Sequence, residues 1–281
     1  DAANKGFVDG LASKGYKEGQ NITFDKQNAQ ADQSNLQNIA HRFVNNKVDL
    51  ICAIATPAAQ TVANVTSDIP IVATAVTDYK TAKLVKDDAK PGTNVTGTTD
   101  MNPVAEQLDL LLKLVPNAKT IGTIYCSSEV NSQLQVELLK KAAAAKGITV
   151  KEATVSTVND IQQAARSLAG DVQAVYVPTD NVLASAIPTL ISVTEEAKLP
   201  VICAEGGMVR AGGLATLGVD YYKLGFQTGV MAADILSGKA KPADMAIQAQ
   251  KEFKPTINLK EAAKIGLKVP EDLLKGAEVI K

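Results

Sequence analysis

Strand-like and helix-like segments alternate along almost the whole chain, and this alternation leaves few folds open. The run Asp49-Leu50-Ile51-Cys52-Ala53-Ile54-Ala55 is continuously apolar after its first residue, as a strand covered on both faces requires. Ile69 to Ala75, Ile121 to Tyr125, Val175 to Val177, Val201 to Ala204 and Leu214 to Val219 read the same way. Ile22-Thr23-Phe24-Asp25 alternates apolar and polar, the pattern of an edge strand, and Ile148-Thr149-Val150 is a further short strand. Helical stretches fall between them. Asp32 caps a helix to Asn46, Pro57 occupies the first turn of the next, and Val104 to Leu114 stops at Pro116-Asn117. Ser128 caps a long helix to Gly147, and helices follow over Asp160 to Leu168, Val182 to Ala197 and Leu224 to Leu236. Two short helical pieces, near Glu261 to Ile265 and Pro270 to Leu274, close the chain. Repeated βα units specify an α/β fold with a mostly parallel sheet and helices on both faces.

The pattern restarts at Thr99 to Pro103, after a Gly-, Asn- and Thr-rich stretch from Pro91. With 281 residues, the chain is expected to form two doubly wound lobes, each with its own core. It opens on a helix where a βα unit opens on a strand, so a first strand is expected upstream. Aromatic residues make up 4% and Trp is absent, which leaves Val, Ile, Leu and Ala to build the cores. A net charge of −1 gives no electrostatic case for nucleic acid or an anionic membrane surface. No apolar run approaches the ~20 residues that span a bilayer. Cys52, Cys126 and Cys203 lie in or at the end of apolar runs without metal or disulfide-framework spacing. They read as inert, buried thiols, and no cofactor or metal site is indicated. His41 belongs on a solvated helix flank.

In α/β sheets, ligands bind where the carboxyl ends of strands open into a crevice. Three acidic residues end strand-like runs here: Asp180, Glu205 and Asp220. Carboxylates at such ends suit a cation, and the order of preference for an ammonium partner is Asp220, Asp180, Glu205. The first half offers the opposite chemistry. Thr56-Pro57-Ala58 begins a helix directly after a buried strand, where free N–H groups and the helix dipole favour an anion. Simple capping by Thr56 would also explain that residue. Thr74 and Thr77 follow the neighbouring strand, Ser127 and Ser128 follow Ile121 to Tyr125, and Tyr221 can supply an apolar wall. Tyr125 reads as buried core. An anion-suited helix start together with acidic strand ends suggests a zwitterionic ligand.

Several strings resemble the solute-binding lipoproteins of ABC transporters with a type I periplasmic-binding-protein fold, in the branch linked to aromatic amino acids. They are Ala53-Ile54-Ala55-Thr56-Pro57-Ala58-Ala59-Gln60, Thr74-Ala75-Val76-Thr77-Asp78, Asn94-Val95-Thr96-Gly97-Thr98, Ser127-Ser128-Glu129, Tyr176-Val177-Pro178-Thr179-Asp180-Asn181 and Gly218-Val219-Asp220-Tyr221-Tyr222. Where that family is expected to carry Pro, this chain has Tyr79. The resemblance implies three crossover strands, near Thr98 to Met101, Val219 to Tyr221 and Ala249 to Pro255. Lobe 1 would hold residues 1–100 plus about 221–248, and lobe 2 residues 101–220 plus about 249–281. It further implies a monomeric, extracytoplasmic protein, periplasmic or lipid-anchored. Such a protein closes a cleft on tryptophan, phenylalanine or tyrosine and delivers it to ABC permease subunits.

Two other readings use the same fold. One is the ligand-sensing domain of a receptor; a transcriptional regulator would need a basic helix-turn-helix, which this chain lacks. The other is a cofactor-independent amino-acid racemase, which needs a reactive cysteine from each lobe. Cys126 ends a strand, but Cys52 stands four residues before Thr56, inside its strand, and no catalytic motif accompanies it.

Overall fold

A computed structural model describes residues 2–281. The chain divides into two compact units, residues 1–101 with 220–251, and residues 102–219 with 252–281. It starts in unit 1 with α1 (Ala2–Ser13), α2 (Gln33–Asn45), β1 (Ile51–Ile54), α3 (Thr56–Val65), β2 (Ile71–Val76) and β3 (Val95–Thr99). It enters unit 2 as α4 (Val104–Leu114), β4 (Thr120–Cys126), α5 (Val130–Ala144), β5 (Thr149–Val155), α6 (Ile161–Ala169) and β6 (Val175–Val177). There follow α7 (Asn181–Ser185), α8 (Ile187–Glu196), β7 (Val201–Cys203), α9 (Gly206–Arg210) and β8 (Ala215–Gly218). The chain returns to unit 1 for α10 (Tyr221–Leu236) and β9 (Gln248–Ala249), and ends in unit 2 with β10 (Lys254–Asn258), α11 (Leu259–Ile265), α12 (Glu271–Leu274) and β11 (Glu278–Ile280).

Unit 1 has a parallel sheet in the order β1-β2-β3-β9. Ala75 interrupts β2 with φ 55, and the β2–β3 register shifts between Ala73 and Val76. Tyr79 bridges that break, its buried hydroxyl lying 2.8 Å from the Ala73 carbonyl and 2.9 Å from the Thr98 carbonyl. Gly97 makes room for it, because a Cβ there would stand 2.5 Å from the Tyr79 hydroxyl and 1.9 Å from the Ala73 carbonyl oxygen. One face of the sheet is covered by α1 and α10, which touch backbone to backbone. Gly6 and Gly10 on α1 meet Gly225 and Gly229 on α10, and a Cβ on any of the four would come within 2.0–2.2 Å of a carbonyl oxygen of the other helix. The packed core on this face includes Phe7, Leu11, Val72 and Met231.

Unit 2 has seven strands in the order β11-β10-β8-β7-β6-β4-β5. The strands from β8 to β5 are parallel, whereas β10 pairs antiparallel to β8 and carries β11 alongside. Apolar side chains pack on both faces. Leu108, Leu111, Ile121, Leu139 and Tyr176 lie under α4 and α5, while Ile124, Ile161, Leu183, Leu190 and Val201 lie under α6 to α8. Between β7 and β8 the ladder is a single pair, Ile202 with Ala215. Gln107 of α4 bridges this gap, its amide donating to the carbonyls of Ala204 (3.0 Å) and Leu217 (2.8 Å) while Tyr176 donates to its oxygen (2.7 Å).

Several local expectations need correction. Residues 22–25 form no ladder; Ile22 and Phe24 pack inward, but no strand pairs with them among the described residues. The helix expected over Val182 to Ala197 breaks at Ala186 (φ −137), because Pro188 in the first turn of α8 lacks the N–H that a continuous helix would use. Val95–Thr99, Lys254–Asn258 and Glu278–Ile280 are strands that their sequences do not announce, and they hold their places by pairing. Tyr125 is half-buried on the β4 surface rather than in the core, its hydroxyl donating to Glu152 (2.7 Å).

Candidate functional site

In unit 1, the α3 start follows β1 through Ala55, whose φ 90 and ψ 153 lie in a region that L residues rarely adopt. Ala55 is the N-cap and provides no side-chain acceptor, so the first turn of α3 is not closed by its own chain. Thr56 therefore is not the cap. It is the first helical residue, 2% exposed, and its hydroxyl has no hydrogen-bond partner among the described residues. Pro57 and Ala58 are half-buried in the same turn. A ten-residue helix with an uncapped N-terminus and an orphaned hydroxyl fits an anionic group.

Thr74 lies deeper, fully buried beneath this surface. Thr98 donates to it at 2.9 Å, Thr228 stands 2.9 Å from Thr98, and Thr228 reaches the Leu224 carbonyl at 2.8 Å. This hydroxyl chain ties β2, β3 and α10 together. Thr77 and Tyr221 converge on Asp100, a residue that the sequence analysis does not single out. Thr77 Oγ1 donates to Asp100 Oδ1 at 3.1 Å, and Tyr221 Oη donates to Asp100 Oδ2 at 2.6 Å. Asp100 is 2% exposed, and burial raises its carboxyl pKa against the opposing pull of the Tyr221 and Thr77 hydroxyls. No periodic signal marks Asp100, since it follows a Gly/Thr-rich strand. Asp220 is the half-buried N-cap of α10; its Oδ1 accepts from Lys223 N at 3.2 Å, and the Gln250 amide pairs with its backbone N–H and carbonyl. Asp78 serves its turn by accepting from Thr81 N at 2.7 Å.

In unit 2, the strand order reverses between β4 and β6, the position where doubly wound sheets open toward ligands. Ser127, Ser128, Glu129 and Asp180 sit at the carboxyl ends of these two strands, and Ser127 and Ser128 are exposed. Ser128 lies 3.2 Å from the Cys126 sulfur and does not cap α5. Glu129 holds the cap position, yet its carboxylate turns to α7, accepting from the backbone of Asn181 (3.0 Å) and Val182 (3.3 Å). Asp180 caps α7 through Leu183 N (2.9 Å) and accepts from Cys126 N and Ser132 Oγ, both at 2.7 Å. Burial, then the nearby Glu129 charge, pushes the Asp180 carboxyl up to about 6. Glu205 caps α9 by accepting from Gly207 N (2.5 Å) and Met208 N (2.7 Å). The structure thus brings Thr77 and Tyr221 together on Asp100, gathers Ser127, Ser128 and Asp180 at the strand reversal, and puts Glu205 at the end of β7.

Two α/β units, joined by a chain that passes three times from one to the other, make the architecture of type I periplasmic binding proteins. Solved solute-binding proteins below 25% identity share this fold, among them one with bound myo-inositol and a leucine binding protein of Thermotoga maritima (TM-scores 0.63 and 0.64). A family model described as ABC transporter substrate binding protein matches residues 1–281, and the chain belongs to that family. A "Tyrosine-binding protein" of Clostridioides difficile is 48% identical over 240 residues, 85% of this chain and 70% of the relative. An ABC domain from Streptococcus pneumonia, solved in complex with L-Trp, is 42% identical with TM-score 0.96, covering 100% of this chain and 95% of that one. A conserved domain protein from Vibrio cholerae is 41% identical with TM-score 0.97 over the same shares.

Proposed function

We propose that this chain captures a free aromatic α-amino acid (tryptophan, tyrosine or phenylalanine) without changing it chemically, and delivers it to the permease subunits of an ABC importer. The observation that carries the reading is the α3 start, where an uncapped helix N-terminus and the unpartnered Thr56 hydroxyl suit a ligand carboxylate. The relatives named for tyrosine and crystallised with L-Trp support the aromatic class. Pro57 and Ala58 shape the carboxylate contact, Tyr221 offers a ring face, and Asp220 is the first-choice ammonium partner. Asp180 and Glu205 are weaker candidates, because each carboxylate accepts from two backbone N–H groups, whereas the Asp220 carboxylate accepts from Lys223 N at the longer distance of 3.2 Å. Ser127 and Ser128 provide exposed hydroxyls in unit 2, and Thr74 and Thr77 back the unit 1 surface. Binding without catalysis is supported by Cys52 and Cys203: burial pushes the first thiol up to about 12 and the second well above its ordinary value, so neither supplies a thiolate near neutral pH. The protein acts outside the cytoplasm as a monomer, held there by a lipid anchor or free in a periplasm. No helix among the described residues is long and apolar enough to cross a membrane. Titration calorimetry against tryptophan, tyrosine, phenylalanine, leucine, galactose and myo-inositol tests the reading. Heat with at least one aromatic amino acid is expected, and heat with a sugar or inositol alone overturns it.

A further inference from the structure

Glu129 and Asp180 bring two carboxyls, 5% and 2% exposed, to one turn of unit 2. Glu129 accepts from the backbone of Asn181 and Val182, and from the side-chain amides of Asn181 (2.7 Å) and Asn131 (3.0 Å). Asp180 accepts from Leu183 N, the next amide of the same turn, and from Cys126 N. No positive charge joins them. The ion pairs of unit 2 use other carboxylates, and among the described residues no lysine, arginine or histidine pairs with either. The neighbouring elements add only Cys126 at the end of β4, Asp160 in the turn before α6, and Cys203 and Glu205 at the end of β7. Asp160 accepts from the amides of Ser156 and Thr157, and Glu205 from those of Gly207 and Met208. Two buried carboxylates without a counter-charge favour keeping a proton on one of them.

Ser132 indicates which oxygen holds it. Its Oγ lies 2.7 Å from Asp180 Oδ2 and 3.2 Å from the Thr179 carbonyl oxygen. A hydroxyl has one proton, so it cannot donate fully to an ionised Asp180 and to that carbonyl at once. With a proton on Asp180 Oδ2 the chain closes: the acid donates to Ser132, and Ser132 donates to the Thr179 carbonyl. Every partner of Glu129, by contrast, is an N–H donor, which suits the ionised form. We propose that the Glu129–Asp180 pair holds a single proton, carried on Asp180 Oδ2 and donated to Ser132 Oγ, and that its release to solvent as pH rises makes the β6–α7 turn a pH-sensitive element of unit 2. An unfolded Asp releases its proton near 3.8, whereas folded Asp180 keeps it to about 6. The stability that this proton contributes is therefore fully present below about pH 3.8 and is lost progressively up to about 6.

Carboxyl carbon-13 NMR titration tests this, with Asp180→Asn identifying the Asp180 signal. Glu129→Gln removes the neighbouring charge, and the Asp180 midpoint should fall by roughly half a unit or more. Ser132→Ala should lower it as well, because an acceptor for the acid's proton is lost. A rise in Ser132→Ala would mean that Ser132 donates to a carboxylate, and overturns the proposal. So does a parent midpoint in the ordinary carboxylate range, or an unmoved midpoint in either variant. Amide exchange at Asn181 to Leu183, corrected for the intrinsic effect of pH, should be slower at about pH 5 than at about pH 8 in the parent, and independent of pH in Asp180→Asn. Equal protection of the parent at both pH values overturns the pH-sensitive turn. If Ser132→Ala loses its thermal transition, Glu129→Gln decides alone, and a midpoint equal to the parent's refutes the shared proton.

Discussion

At Thr56 a buried hydroxyl goes unused within the chain, and that makes its removal informative. Thr56→Val keeps the shape and deletes a group that already lacks a partner, so the stability of the unliganded protein should change by less than about 0.5 kcal/mol. Affinity for an aromatic amino acid should nevertheless fall, and calorimetry beside a thermal melt separates the two effects. Asp220→Asn should weaken the same ligand at least about tenfold, or ~1.4 kcal/mol, because one member of a buried charge pair is lost. Equal affinity in Asp220→Asn, with a loss in Asp180→Asn or Glu205→Gln, would move the ammonium to unit 2. The candidate residues were readable because each stands at the end of a strand-like run. Their partners were not. Asp100 and Tyr221 are 121 positions apart, and no local pattern reports that one hydroxyl meets the other's carboxylate. The same limit hid the role of Glu129, whose position suggested helix α5 while its carboxylate serves α7.

Between elements, the sharpest constraint is the crossing of α1 and α10. Gly10→Ala would put a Cβ 2.2 Å from the Phe226 carbonyl oxygen, and no rotamer change can relieve a clash with backbone. The expected cost is about 3 kcal/mol or more, at or above the usual range for overpacking. Gly170→Ala, with open space around the site, should be tolerated, and parallel thermal melts give the comparison. A second contact carries a proton. Glu261 of α11 is buried, Lys264 lies 2.6 Å from Glu195 of α8 and 3.8 Å from Glu261, and burial, followed by the Glu195 contact, pushes the Glu261 carboxyl up to about 7. Glu195 itself is held low, chiefly by Lys264. Above a pH of about 4.5 an unfolded Glu has already lost its proton, while folded Glu261 keeps it to about 7. The stability that this protonated carboxyl contributes is therefore fully present below about pH 4.5, is lost progressively as pH rises from there to about 7, and changes no further above that. Glu261→Gln fixes the neutral form, and its melting temperature should exceed the parent's at pH 8 and match it near pH 4. A constant difference across that range would remove the proton from the explanation.

For the whole molecule, ligand and stability are linked. A ligand at a hundred times its dissociation constant adds ~2.7 kcal/mol to the folded state. For a protein of this size that amounts to a rise of about 5 °C or more in melting temperature. Tryptophan, tyrosine or phenylalanine should produce it, and galactose at the same concentration should not. Rapid thiol labelling of the native protein at the half-buried Cys52 or the buried Cys203 would contradict the raised pKa of both thiols.

The sequence by itself determined the α/β class, the order of most elements and the strand-end positions of the candidate residues. These follow from periodicity and capping chemistry, which act over a few neighbouring residues and leave their mark in the local string. Tertiary structure decided everything that depends on distant partners. It made strands of Val95–Thr99, Lys254–Asn258 and Glu278–Ile280 by pairing them. It left residues 22–25 without a ladder, and brought four glycines into one helix crossing. It also assigned each carboxylate its donors, so that Asp180 and Glu205 cap helices while Asp100 gathers two hydroxyls. A carboxylate's role is set by the donors and the burial it meets, and both come from parts of the chain that its own neighbours do not specify.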